Sequence, residues 1–327
     1  MESASTSLAS PHPTLSLIIP MRNEEEGLDL LFSRLETILD EHKIDYELLT
    51  VNDGSTDRTM EFLLKHRQRN PRIKILNLTR NYGKDNALSA GLDYATGDAV
   101  IPLDADLQDP PELIPAMVNK WREGWDVVYG KRVDRATDSA VKRMSAGWFY
   151  KLFNAVSEIS IPENTGDFRL MDRVVVEKVR LLHERNRFMK GLFAWVGFRC
   201  TSVEYARPER AAGTTKWNYW KLWNFALGGI MAFSTLPLRI WTYVGALISV
   251  SAFGYALFLI ALKIGWGIAT PGYASIMVAV LCLGGLQLLT LGIIGEYLGR
   301  IYLEVKGRPL YLVRETHGID PANAPRK

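Results

Sequence analysis

The chain has 327 residues, 47% hydrophobic and 23% charged, and 39 Lys and Arg against 36 Asp and Glu leave a formal net charge of +3. That length suits about two domains, and the composition excludes a disordered chain, a collagen-like fibre and a disulfide-stapled miniprotein. So small a net charge argues against a nucleic-acid partner, and the widely spaced Cys200 and Cys282 form no metal motif and fit a reducing compartment.

Residues 1–14, rich in Ser, Ala and Pro, read as a disordered leader; they lack the basic start and apolar run of a signal peptide. Residues 15–215 alternate short apolar runs with amphipathic segments. Leu15–Ile19, Glu47–Val51, Ile73–Leu76, Ala99–Leu103 and Asp126–Tyr129 predict buried strands. Glu25–Asp40, Thr56–Asn70 and Lys84–Ala95 predict helices between them. Such alternation implies βαβ units and an α/β domain with a mostly parallel sheet. Ligands of such sheets bind beyond the carboxyl ends of the strands.

Beyond residue 215 the chemistry changes. Residues 216–234 mix Trp217, Tyr219, Trp220 and Trp223 with Lys216 and Lys221, which predicts an amphipathic helix at a membrane interface. Residues 138–156 carry a similar mixture and are a second such candidate. Within 235–299, residues 240–262 and 273–295 hold no charge over 23 positions each. A bilayer needs ~20 apolar residues per helix, so the pair predicts a transmembrane hairpin. Lys216, Lys221 and Arg239 precede it and Arg300, Lys306, Arg308 and Arg314 follow it, whereas the turn carries Lys263 alone. The positive-inside rule then places the large domain and both termini in the cytoplasm. Residues 300–327 form a tail, with a short strand expected over 308–313.

Three polar motifs follow predicted strands. Pro20-Met21-Arg22-Asn23-Glu24-Glu25 follows the first, where Asn23 suits a helix N-cap. Asp53-Gly54-Ser55-Thr56-Asp57 follows the second, where Ser55 or Thr56 suits another. Asp104-Ala105-Asp106-Leu107-Gln108-Asp109 follows the fourth. Three carboxylates within six positions repel one another and call for a cation. Mg²⁺ and Mn²⁺ favour carboxylate and phosphate oxygens, so Asp104 and Asp106 are candidate metal ligands beside a nucleotide diphosphate.

Those motifs, with Asn81-Tyr82-Gly83-Lys84, Thr165-Gly166-Asp167-Phe168-Arg169, Arg187-Phe188-Met189-Lys190-Gly191 and the hairpin, resemble the polyprenyl-phosphate glycosyltransferases of glycosyltransferase family 2 over residues 15–314. Within that group the chain looks most like the bacterial undecaprenyl-phosphate glucosyltransferases of the GtrB type, relatives of dolichol-phosphate mannose synthases. The resemblance implies a GT-A (Rossmann-like) catalytic domain, interfacial helices and a two-helix membrane anchor. It implies a UDP-sugar donor, Mg²⁺ or Mn²⁺ on Asp104 and Asp106, and a polyprenyl phosphate acceptor in the bacterial plasma membrane. Pro20, Arg22 and Glu24 would hold the nucleoside, Asp53 the uracil or ribose, and Lys84 the base or a phosphate. Gln108 would stand beside the metal. Arg210 and Lys216 lie in a loop resembling the flexible segment that closes over the donor, with Thr215 where the pattern has Ser. Arg132, Lys142 and Arg143 would bind the acceptor phosphate. Asp106 and Asp167 would be catalytic. The resemblance further implies a homo-oligomer, up to a tetramer, with the tail strand reaching a neighbour.

A lipid monophosphate needs no base, because its second pKa of about 6 leaves it largely dianionic at pH 7. Asp167 is therefore expected to orient substrate rather than to take a proton, in a single inverting displacement. Mannosyl transfer from GDP-mannose and transfer of a modified arabinose are alternatives. A processive synthase is disfavoured, since none of Gln68, Gln108 and Gln287 begins a QxxRW motif. A silent lipid-binding scaffold would not need to keep three repelling carboxylates, and two spans leave little room for a flippase pathway.

Overall fold

A computed structural model describes residues 15–134, 157, 165–182, 184–185, 187–206, 234, 236–266 and 272–320. The leader, Lys142 and Arg143, and the stretch 207–233 that holds Arg210, Lys216 and most of the expected interfacial helix lie outside the described residues.

The strands are β1 (Leu15–Met21), β2 (Tyr46–Asn52), β3 (Ile73–Leu78), β4 (Ala99–Pro102), β5 (Val127–Asp134), β6 (Thr165–Asp172), β7 (Cys200–Ala206) and β8 (Val313–His317). The helices are α1 (Leu28–Glu41), α2 (Thr59–Arg69), α3 (Lys84–Tyr94), α4 (Ile114–Arg122), α5 (Arg173–Arg180), α6 (Met189–Trp195), α7 (Leu236–Trp266) and α8 (Tyr273–Val305). One sheet runs in the order β7-β5-β6-β4-β1-β2-β3-β8. Its centre, β4-β1-β2-β3, is parallel throughout. Both faces of that centre are covered, which is why β1 and β2 are apolar nearly end to end. Leu28, Leu31, Phe32 and Leu35 of α1 pack one face. Ala87, Leu88 and Leu92 of α3, with Val176 of α5 and Leu192 of α6, pack the other. Gly91 lets α3 press against β1, because a Cβ there would run into Ile18.

The chain steps from β1 to β2 to β3 on one side, then returns through α3 to place β4 on the other side of β1. That reversal opens a crevice at the carboxyl ends of β1 and β4. β6 runs antiparallel between β4 and β5, with Ala99 opposite Asp172 and Lys131 opposite Thr165. Its amino-terminal residues therefore rise to the same rim, carrying Asp167 into the crevice.

At the opposite end of the sheet Glu47 is buried on β2. It accepts hydrogen bonds from Ser16 Oγ, Lys74 Nζ and the backbone and hydroxyl of Thr96, the last two at 2.7 and 2.9 Å. Burial alone would raise its pKa, but these donors outweigh burial and hold it below the ordinary 4.5. The stability this gives is present above the unfolded pKa and is lost as pH falls through the lower folded one. Glu47→Gln is therefore expected to flatten the acid limb of melting temperature against pH below about 5, measured on the full chain in detergent. A parallel acid limb in the variant would assign that loss to other carboxylates.

α7 and α8 are long and apolar enough to cross a membrane, over Leu238–Leu259 and Val278–Val305. Their large side chains face outward, Phe253 and Leu288 among them. α8 does not stop with the uncharged run at residue 295. It continues to Val305, with Arg300 bonded to Glu296 one turn away at 2.9 Å. The tail strand spans Val313–His317 rather than 308–313, and it pairs antiparallel with β3 of its own chain. β3 otherwise offers a row of unpaired backbone groups. Asn77 on β3 adds a bond to Glu315 at 2.8 Å. Tyr311 donates to Asp93 at the end of α3 at 2.7 Å, and Arg185 binds the carbonyls of Gly307 and Arg308.

Candidate active site

The loops after β1 and β2 lock together. Asn23 does not cap a helix, and α1 begins only at Leu28. Instead Asn23 takes φ +55° and its Oδ1 accepts from Thr56 N at 2.8 Å, while its backbone N–H donates to Ser55 Oγ at 3.0 Å. Glu24 N donates to Thr59 Oγ1 at 3.0 Å, and Glu25 Oε2 accepts from Arg58 N at 2.9 Å. The candidate nucleoside residues Pro20, Arg22 and Glu24 are thus carried on a stiffened double loop, with Arg22 exposed and the other two half-buried.

Asp53, expected to contact the nucleoside, has partners within the chain. It is 4% exposed. Its carboxylate accepts the backbone N–H groups of Tyr82 at 2.6 Å and Gly83 at 2.9 Å. Gly54 follows at φ +63°, and a Cβ there would lie 2.5 Å from the backbone of Arg80 and Asn81. Only glycine meets both demands. Together Asp53 and Gly54 clamp the loop 80–83 over the end of β2, and the loop delivers Lys84, the first residue of α3.

Lys84 joins residues far apart in sequence. Its Nζ lies 2.8 and 2.9 Å from the two carboxylate oxygens of Asp104 and 2.8 Å from Asp167 Oδ2. Burial would lower the pKa of Lys84, but Asp167 and then Asp104 outweigh it and raise it well above the lysine range. Burial would raise that of Asp167, but Lys84, Lys190 and Arg169 hold it well below the carboxylate range. Asp167 is therefore ionised at neutral pH and a weak base. Asp85, next to Lys84, is pushed up to about 6 by burial and the charge of Asp167, against Lys84, Lys190 and Arg187.

The expected strand Ala99–Leu103 ends at Pro102, so Asp104 and Asp106 project from a turn. Leu107 takes φ +55° while buried, an unusual backbone for a bulky residue. Asp106 Oδ1 accepts the N–H of Gln108 at 3.1 Å. Among the described residues no three His, Cys, Asp or Glu side chains gather into a metal site. Two carboxylates with hard oxygen donors still fit Mg²⁺ or Mn²⁺, which keep several waters and draw further ligands from substrate phosphate.

Arg132, a candidate for the acceptor phosphate, lies on β5. Its Nε donates to Tyr205 Oη at 3.1 Å, and its NH2 lies 3.6 Å from Asp109 and against Gly166. Tyr205 donates to Asp109 at 2.6 Å, and burial with that carboxylate pushes the phenol up to about 12. Sequence reasoning gave Tyr205 and Asp85 no part in the site, and Asp109, Lys190 and Arg169 entered only as members of its motifs. Two-residue spacing along β6 sets Asp167 and Arg169 on one face, and that was the available signal for Arg169. Arg169 is buried, bonds to Gly166 O at 2.8 Å and lies over the Phe193 ring.

The family model described as glycosyl transferase family 2 matches residues 16–180, and one described as the GtrB C-terminal hairpin matches residues 236–301. An uncharacterized glycosyltransferase of Synechocystis is 59% identical over 306 residues, covering 94% of this chain and 96% of that one. The prophage-derived bactoprenol glucosyl transferase of Shigella flexneri is 48% identical over 307 residues, covering 94% and 99%. The solved mannosyl-3-phosphoglycerate synthase of Rubrobacter xylanophilus aligns with a TM-score of 0.47 at 17% identity, covering 67% and 72%.

Proposed function

The chain belongs to glycosyl transferase family 2, and from that premise we propose that it moves glucose from UDP-glucose onto polyprenyl phosphate, releasing UDP. One observation carries the reading: the Asp104–Asp106 turn, Lys84 and Asp167 converge at the switch point of a sheet whose chain continues into two membrane-length apolar helices. The bactoprenol glucosyl transferase relative, matched nearly end to end, supports the same acceptor class and sugar.

In this reading Pro20, Arg22 and Glu24 hold the nucleoside, Asp53 contacts the uracil or its ribose beside the loop it clamps, and Lys84 faces the base or a phosphate. Asp104 and Asp106 hold Mg²⁺ or Mn²⁺, with Gln108 beside them. The cation, when bound, neutralises charge developing on the departing diphosphate. Arg132, with Lys142 and Arg143, receives the acceptor phosphate, since Arg forks match phosphate oxygens. Arg210 and Lys216 close over the donor. The basic flanks of α7 and α8 set the catalytic domain and both termini on the cytoplasmic side. The small residues Gly284, Gly285, Gly292, Gly295 and Gly299 on α8 suit close packing between copies of the chain.

The test incubates the reconstituted protein with undecaprenyl phosphate, a divalent cation and a panel of labelled nucleotide sugars. UDP-glucose is expected to label the lipid. Labelling by GDP-mannose alone would overturn the sugar, and labelling by no donor would overturn the enzyme. Asp167→Asn is expected to lower kcat roughly 10²-fold without moving the acid limb of the pH–rate profile, because the acceptor phosphate itself titrates there. An acid limb that vanishes in the variant would make Asp167 the base.

A further inference from the structure

We propose that Lys84 is a built-in counter-ion that keeps a divalent cation off Asp104 until a nucleoside diphosphate arrives to take the ammonium over. The proposal rests on the assignment of Asp104 and Asp106 to that cation.

The supporting observation is that Asp104 is already spoken for. Both of its carboxylate oxygens lie within 2.9 Å of one ammonium, and that ammonium also lies 2.8 Å from Asp167. A lysine ammonium has three N–H donors, and these three oxygens account for them. Asp104 cannot ligate a divalent ion without sharing or releasing an oxygen that Lys84 holds. Two cations crowded onto one carboxylate repel each other, so the nucleotide-free site disfavours the metal.

A diphosphate changes this balance. It brings several anionic oxygens to the same rim and offers Lys84 a new partner. The side chain can follow, because it is a compact charge on a flexible four-carbon stem and is 45% exposed. The backbone beneath it stays fixed, since Asp53 holds the N–H groups of Tyr82 and Gly83 just before it. Asp167 keeps the ammonium near the site while Asp104 is released. Cation and donor therefore bind with positive coupling, and by linkage each tightens the other by the same factor. A nucleotide-free enzyme does not load metal unproductively, and the donor completes its own binding site.

Mn²⁺ binding to the full-length protein in detergent, followed by electron paramagnetic resonance, tests this without turnover. In the absence of nucleotide, Lys84→Met and Lys84→Gln are expected to bind Mn²⁺ about tenfold more tightly than wild type. Lys84→Arg, which keeps the charge, is expected to match wild type. Adding Asp104→Asn to Lys84→Met is expected to erase the gain. Saturating UDP is expected to tighten Mn²⁺ binding by wild type and to have much less effect on Lys84→Met. A residue that merely supports the fold would weaken the site when removed, which is the opposite sign. If both charge-removing variants bind Mn²⁺ no more tightly than wild type, the counter-ion role is wrong and the cation assignment survives. If wild type binds no Mn²⁺ even with UDP, the cation assignment falls and the counter-ion role falls with it.

Discussion

Asp106→Ala is expected to lower transfer to undecaprenyl phosphate by roughly 10³-fold or more. Asp106 is one of three carboxylates in the segment 104–109 after β4, and under the proposed function it holds the cation together with Asp104. The substitution also frees the Gln108 N–H from its 3.1 Å acceptor, which loosens a turn already strained at Leu107. Asp106→Asn separates these effects, because it keeps a neutral acceptor and loses only the charge. If the metal role dominates, both variants are equally inactive and neither melts far from wild type. A variant that keeps a tenth of its activity would remove Asp106 from the chemistry. Chelation by EDTA supplies an independent arm, since full activity in its presence would remove the cation.

The second large effect is expected on stability. Asp53→Ala leaves the Tyr82 and Gly83 N–H groups without their carboxylate. The Gly83 N–H keeps Asn81 Oδ1 at 3.0 Å, so the half-buried Tyr82 N–H is the donor left without its acceptor, at a cost of about 1–3 kcal/mol. For a chain of this size that corresponds to a fall in Tm of about 2–8 °C. Activity is lost as well, because the loop 80–83 sets the position of Lys84. A side chain that only touched the nucleoside would behave differently: KM for UDP-glucose would rise and Tm would stay. Thermal melting beside KM and kcat for Asp53→Ala and Asp53→Asn decides between the two.

The legible part of the fold was the part made of uniform local signals. β1 to β5 and α1 to α3 announce themselves as apolar runs and amphipathic stretches. β6 does not, because its sequence TGDFRLMD spends Gly166 and Asp167 on the site and buries Arg169 in the interior. β7 and β8 are edge strands whose polar side chains give no buried alternation, and β8 exists by virtue of a partner more than 200 residues earlier. The site was legible in the same measure. The acidic turn after β4 could be read from charge repulsion alone. The pairing of Lys84 with both Asp104 and Asp167 could not, since it depends on how α3 and β6 meet at the rim. Asp53 illustrates the limit: its motif marked it as important, but its backbone partners follow from a loop crossing that no local pattern encodes.

β7 and β8 close opposite margins of the same sheet, and the membrane hairpin lies between them in the chain. With strands about 4.8 Å apart, those margins stand roughly 34 Å from each other. The chain thus leaves the sheet for its apolar hairpin from one margin and rejoins it at the other. Tyr311 and Arg185 fasten the returning segment close to where it leaves α8. An apolar hairpin inserted between two opposite edge strands is held to the sheet at both of its ends, so neither end of the pair α7 and α8 is a free chain terminus.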